Sequence, residues 1–313
     1  MPEDNSFSEH GSVQHLWLLS FYSSIHHYLI GVFMAQRSFI SRQVGDFQVT
    51  ALSDGNMSAS LSLLSGIDTT DAGEIQRSAG IFEPEDIHIY AYVIRGRGKT
   101  ILVDTGTGGV NNVGGQLKAN LLAFGIQPGE VDILLLTHGH PDHIGGLLND
   151  EGEAVYPNAQ LYLHPLEAQF WQDDEALERA NERVQRNFAL IRCTLAAYGE
   201  RVRILDEQPV IEGIRTVPLP GHTPGHTGFC IGSAGEKLLI WGDIVHYPHI
   251  QTAHPDVAIA FDFDSQQAKA SRKMILAKAA EEKLLVAGMH FGGTGFAQVV
   301  ASGQGYRIVY ATA

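Results

Sequence analysis

The run LLLTHGHPDHIGG, residues 134 to 146, sets His138, His140, Asp142 and His143 within six positions, directly after an apolar stretch. In an extended segment alternate side chains point the same way, so His138 and His140 reach one point from the end of a buried strand. Pro141 disfavours helical geometry at His140 and suits the first position of a helix. Asp142 and His143 therefore fall in that helix's first turn and point to a second spot nearby. Gly145 and Gly146 let the turn pack closely against neighbouring backbone. Imidazole and carboxylate donors without cysteine suit divalent zinc, manganese, iron or cobalt, and four side chains aimed in two directions suggest two ions. Two ions need more donors. Candidates are His222 and His226 in PGHTPGHTG, Asp243 in IWGD, and His290 in GMHFGG.

Each candidate sits at the end of a predicted strand or in the loop beyond it. FQVTALSDG, IHIYAYVIRG and KTILVDTG read as strands, rich in β-branched and aromatic residues and closed by turn formers. GGQLKANLLAFG reads as a helix with Leu117, Leu121 and Leu122 on one face and Gly125 as its stop. DILLLT is an apolar strand of the fully buried kind, and AQLYLH repeats it. Residues 165 to 198 form a charged helical region. RVRIL, IRTVPL, TGFCIG, KLLIWGD, KLLVAGM and YRIVYA are further strands, with a helix from Ser265 to Glu282 that Asp264 or Ser265 caps and that packs through Ala270, Met274 and Ala277. Strand clusters in both halves, each followed by helices, predict two sheets face to face with helices outside.

The chain has 313 residues, enough for a substantial core, and no repeat or linker divides residues 37–313, which are read as one domain. Acidic residues outnumber basic ones 35 to 21, for a formal charge of −14. Without a Lys/Arg-rich run, nucleic acid is disfavoured as a substrate and a neutral small molecule is favoured. Cys193 and Cys230 lack a CxxC neighbour and are expected to be free, buried thiols. Residues 1–36 are apolar and aromatic but interrupted by serines and histidines, with no Lys or Arg before Arg37. That fits neither a membrane span nor a signal peptide. It is read as a disordered or self-associating extension, compatible with a homodimer and with a start at Met34. A cytoplasmic location is expected, with export left open.

The ordered set HxHxDH, then His222, Asp243 and His290, resembles the metallo-β-lactamase-fold hydrolases across residues 45 to 313. The resemblance implies an α/β four-layer αββα sandwich. It implies His138, His140 and His222 on one metal, Asp142, His143 and His290 on the other, and Asp243 bridging both. Two zinc ions are implied first, with manganese, iron or cobalt as alternatives. Asp104 in LVDTG and His226 would support these ligands from behind, since such partners orient a ligand ring and raise its basicity. The mechanism implied is attack by a metal-bridging hydroxide, with Asp142 and Asp243 in the catalytic centre.

WGDIVHYP, AFDFDSQQAKASRK and GQGYRIVYA are similar to the methyl parathion hydrolase and quorum-quenching lactonase branch. A neutral lactone, ester or phosphotriester is the substrate class that this implies. Lactonases of that branch carry Tyr three residues after the bridging Asp, where this chain has His246 followed by Tyr247. His246 is expected to face the pocket and contact substrate, with Phe82, Trp171 and Tyr247 as pocket candidates and His249 and His254 facing solvent. The bridging Asp argues against a dedicated β-lactamase, though weak β-lactam turnover is an alternative. A glyoxalase II-like thioesterase would show a basic patch for glutathione, and none is evident. A flavo-di-iron enzyme would carry Glu at His140. The non-enzymatic reading, a metal-stabilised binding protein, predicts missing ligands, and the set is complete.

Overall fold

The computed structural model describes residues 39–312, so the extension expected over residues 1–36 lies outside the described residues. The first half supplies strands β1 (Ile40–Val44), β2 (Phe47–Ser58), β3 (Leu64–Ser65), β4 (Asp86–Gly96), β5 (Lys99–Val103), β6 (Ile133–Leu135), β7 (Gln160–Leu163) and β8 (Val202–Ile204). The second supplies β9 (Ile214–Pro218), β10 (Thr227–Ser233), β11 (Glu236–Ile240), β12 (Ala258–Ile259), β13 (Leu285–Ala287), β14 (Phe296–Ser302) and β15 (Gly305–Tyr310).

One sheet runs β1-β2-β4-β5-β6-β7-β8 and the other β15-β14-β13-β11-β10-β9, with β3 and β12 paired apart. Strands β5 to β8 are mutually parallel, as are β11 and β13. Ile101, Val103, Ile133 and Leu135 share a core with Phe229, Ile231, Leu238 and Ile240 from the other sheet. The alternate residues Leu102, Leu134 and Leu161 face helices instead, packing with Leu121, Phe188 and Ile191. On the far side, Leu239 and Val286 meet Ile275 and Leu276 of the helix Ser265–Glu281. This is the expected αββα sandwich. It explains why DILLLT has no polar alternation: both faces of β6 are covered, and each fully buried aliphatic side chain contributes roughly 1.5–3 kcal/mol.

Several local expectations change. The helix Ser265–Glu281 packs through Ala268, Ile275, Leu276 and Ala279, whereas Met274 is 48% exposed, so the buried stripe is displaced from the predicted one. Asp264 is its cap, accepting from the amides of Gln266 and Gln267. Leu122 is exposed beside buried Leu117 and Leu121. Both cysteines are free, but Cys193 is exposed and Cys230 half-buried. His254 is exposed, while His249 is half-buried against Tyr310. β1, β14 and the helix Thr69–Ser78 are additions to the predicted elements. Among the described residues no helix is long and apolar enough to cross a membrane.

Candidate metal centre

The parallel strands end together at one rim of the sandwich, and their C-terminal loops carry the chemistry. β6 runs into His138, and His140 is extended (φ −78°, ψ 155°) before the short helix Pro141–Ile144, as the proline requires. The two glycines after that helix are confined by contact: a Cβ would stand 2.0 Å from Thr107 O at Gly145 and 2.3 Å from Thr105 O at Gly146. The β5, β11 and β13 ends deliver Asp104, Asp243 and His290, and the β9–β10 loop delivers His222 and His226.

The donors fall into three overlapping groups: His138 with His140 and His222; Asp142 with His143, Asp243 and His290; and His222 with Asp243 and His246, which draws on both of the others. In the first, His140 Nδ1 lies 3.0 Å from His138 Nε2 and 2.9 Å from His222 Nε2. One ring nitrogen carries at most one hydrogen, so three converging nitrogens are not all satisfied by each other and are suited to a shared cation. In the second, Asp243 Oδ2 is 3.0 Å from His143 Nε2 and 2.9 Å from His290 Nε2. Asp142 Oδ2 is 3.4 Å and 3.5 Å from the same two nitrogens. Asp243 Oδ2 also lies 3.8 Å from His138 Nε2 and 3.6 Å from His222 Nε2, so it stands between the clusters. Its other oxygen, Oδ1, is buried without a hydrogen-bond partner. A buried carboxylate oxygen left without a donor fits a metal ligand, and the donor set as a whole suits two divalent ions.

Each cluster is braced from behind. Asp104, buried and left-handed at φ 58°, places Oδ2 2.7 Å from His143 Nδ1 and takes hydrogen bonds from the amide and hydroxyl of Thr137. His290 Nδ1 donates to His88 O at 2.9 Å. His222 Nδ1 lies 3.0 Å from Asp262 Oδ1, and buried Arg272 stands 3.6 Å behind that carboxylate. Asp262 and Asp264 are alike in the run AFDFDSQQ, yet Asp262 braces His222 while Asp264 caps a helix, and only the tertiary structure separates the two. His226 uses both ring nitrogens, donating to Leu219 O from Nδ1 and accepting the Asp243 amide at Nε2, both at 2.9 Å. It fixes the backbone of Asp243 and has no nitrogen left for a metal.

The electrostatics divide in the same way. Burial and then the neighbouring imidazoles push His138 and His140 well below the ordinary histidine range. Burial alone would also lower His143 and His290, but the carboxylates of Asp243 and Asp142 override it and raise both. Burial would raise Asp243, yet the charges of His143 and His290 hold it well below the carboxylate range. The second cluster thus pairs two carboxylates with the two rings that they hold protonated, whereas His138 and His140 of the first offer uncharged lone pairs.

His246 is 1% exposed, with Nε2 3.3 Å from Asp243 Oδ2 and Nδ1 lacking a partner. Burial brings it down to about 4, against the pull of Asp243. It borders a cavity of about 590 Å³ that opens over His140, Asp142, His222 and Asp243. Met57, Val110, Val113, Leu190 and Phe261 give that cavity an apolar wall, and Arg183 and Arg186 stand on it as well. The Arg183 guanidinium lies 5.4 Å from the Phe261 ring centre. These two arginines were not foreseen; their only signal was charge on a helical face.

The three pocket candidates lie elsewhere. Trp171 is buried in the core, edge-on to His140 at 6.0 Å between ring centres, and does not line this cavity. Phe82, 86% exposed, and Tyr247 border a neighbouring cavity of about 280 Å³ that shares His246 and His290 with the site. The Tyr247 hydroxyl donates to Ala59 O. Trp171 was misplaced because an aromatic in a charged helical region reads equally as core or pocket.

A family model described as Metallo-beta-lactamase superfamily matches residues 85–290. Among solved structures, the chain is similar to the hydrolase AbOPH in the beta lactamase superfamily, at 30% identity and TM-score 0.82 over 88% of this chain and 97% of that one. It is also similar to AidC, a dizinc quorum-quenching lactonase in complex with a product, at 26% identity and TM-score 0.81 over 88% and 98%. A hydroxyacylglutathione hydrolase of Xanthomonas euvesicatoria is 30% identical over 46% of this chain and 42% of its own length. An endoribonuclease, ysh1 of Schizosaccharomyces pombe, is 26% identical over 54% and 23%. The chain spans less than half of the length of either curated relative.

Proposed function

The chain belongs to the Metallo-beta-lactamase superfamily, and from that premise we propose that it is a binuclear metal-dependent hydrolase of a neutral lactone, ester or phosphotriester. One observation carries the reading: Asp243 belongs to the cluster of Asp142, His143 and His290 and stands 3.8 Å from His138 and 3.6 Å from His222 of the other, beneath a cavity with an apolar wall. His138, His140 and His222 would hold one ion and Asp142, His143 and His290 the other, with Asp243 between them. Two divalent ions there would supply Lewis acidity toward a carbonyl or phosphoryl oxygen and would acidify water.

The chain's own residues do the rest. Asp142 and Asp243 concentrate negative charge at the floor, and the braces on His143, His222 and His290 keep their rings from turning. The apolar wall excludes bulk water and leaves room for an acyl or aryl arm. His246 stands over Asp243 with Nδ1 unpartnered, positioned to contact substrate near its leaving group. The similarity to AidC, a lactonase, supports the lactone part of this range, and that to the hydrolase AbOPH supports hydrolysis.

A thioesterase reading also has an observation in its favour. Arg183 and Arg186 on the cavity give the cationic contact that a carboxylate-bearing thioester would use, in keeping with the hydroxyacylglutathione hydrolase relative. One preparation separates the readings. Metal analysis should give two ions per chain, and turnover of homoserine lactones, aryl esters and aryl phosphotriesters should exceed that of glutathione thioesters, a chromogenic cephalosporin and RNA. Preference for the thioester, or for RNA, would overturn the neutral-substrate assignment. His246→Ala should lower kcat/KM on the best substrate; an unchanged value would remove His246 from the site.

A further inference from the structure

We infer that Glu167 is a positioning residue that clamps together the two loops forming the three-histidine metal site, and that it acts on that site selectively. The inference rests on the two-metal reading above. Glu167 lies on the helix Pro165–Gln172 and is 1% exposed, which is costly for a carboxylate unless donors surround it. Three N–H groups converge on it. Its Oε2 accepts from the Gly139 amide at 3.0 Å and from Trp171 Nε1 at 2.7 Å, and its Oε1 accepts from the Gly225 amide at 3.0 Å.

The identity of the two amides carries the argument. Gly139 stands between His138 and His140, and Gly225 lies in the loop that runs from His222 to His226. One carboxylate thus ties the β6 loop to the β9–β10 loop, and these are the sources of His138, His140 and His222. None of these three hydrogen bonds involves a donor of the other cluster, although Asp142 and His143 follow on the same β6 loop. Space is arranged for the clamp at both ends. A Cβ on Gly139 would stand 2.4 Å from Trp171 Nε1, and one on Gly225 would stand 2.5 Å from the Glu167 amide. Both loops therefore need glycine where the helix closes on them. Trp171, held by the same carboxylate, presents its ring edge to His140, so the clamp also limits rotation of that ligand.

A carboxylate is needed because it accepts on both oxygens. Glutamine at 167 would offer one acceptor, and its amide hydrogens would face the amide of one loop or the other. Partners of this kind commonly cost about 10- to 100-fold in metal affinity when removed.

The test is zinc binding to metal-free protein in competition with a chromophoric chelator, independent of turnover. His143→Ala isolates the three-histidine site, and His138→Ala isolates the site with two aspartates. Adding Glu167→Gln should weaken zinc by about 10- to 100-fold in the first background and leave the second within about threefold. Trp171→Phe, which keeps an aromatic ring but removes one of three donors, should weaken the same site by a smaller factor and guards against a Glu167 variant that fails to fold. Equal weakening in both backgrounds, or none in the first, would overturn the clamp. Wild-type protein that takes up no zinc would overturn both the clamp and the two-metal reading.

Discussion

The two donor clusters stand side by side on one rim of the sandwich, yet they are built by opposite means. The three-histidine cluster has no carboxylate of its own; its His222 ring is held by Asp262, and its loops are held through the Gly139 and Gly225 amides by Glu167, both acids lying outside the strand ends. The cluster with two aspartates carries its own negative charge and is braced by the strand end itself, through Asp104 beside His143. The difference teaches where affinity comes from in each. Two carboxylates attract a cation by charge, whereas converging lone pairs depend on geometry, because small ring rotations spoil their common focus.

Asp243 is where the comparison is easiest to break. Asp243→Asn removes the charge between the clusters, and both affinities and turnover should fall by more than about 100-fold, beyond what outer partners usually cost. Metal stoichiometry and kcat measured together check this; full activity with two ions retained would show that the carboxylate does not join them. Next comes selectivity. Asp104→Ala should weaken the two-aspartate site and Asp262→Ala the three-histidine site, each by about 10- to 100-fold, and chelator competition reads both. Crossed effects would dissolve the distinction.

A third prediction concerns acid. His226 is held neutral in the fold, down to about 3, by burial and then by His222. The unfolded chain takes up a proton near the ordinary value of about 6.5 while the folded chain does not. The stability that His226 contributes is therefore complete above that value and declines as pH falls toward 3, by up to about 1.4 kcal/mol per pH unit. Denaturation of metal-free His226→Gln should lack this slope relative to wild type between those limits. The smallest effect belongs to Thr137, whose hydroxyl reaches Asp104 Oδ2 at 2.7 Å and lies 3.0 Å from His138 Nδ1, touching both clusters. Thr137→Val should cost about 1 kcal/mol of folding stability and a few-fold in affinity at both sites.

Much of the layer architecture was legible because it rests on local pattern. β6 reads as a fully buried strand since both its faces are covered, and the donors at strand ends are marked by the glycines and prolines around them. The buried stripe of the helix Ser265–Glu281 was misread because alanines occupy both faces, and the true stripe includes Ser271 and Arg272. Those polar groups find partners distant in the chain: Ser271 Oγ donates to Pro220 O, and Arg272 Nε donates to Ile244 O. β14 was passed over between glycine-rich turns, and pairing with β13 and β15 makes it a strand.

The sequence by itself named the candidate donors, because residue type limits which side chains can bind a cation and Pro141 splits the motif into a strand-end pair and a helix-start pair. The tertiary structure alone decided which carboxylates brace which ring. Asp262, Glu167 and Asp104 are ordinary acids in the chain, and their roles arise from hydrogen bonds closed across 28 to 58 residues. No local pattern encodes such contacts, since they depend on how layers pack and not on what neighbours along the chain prefer.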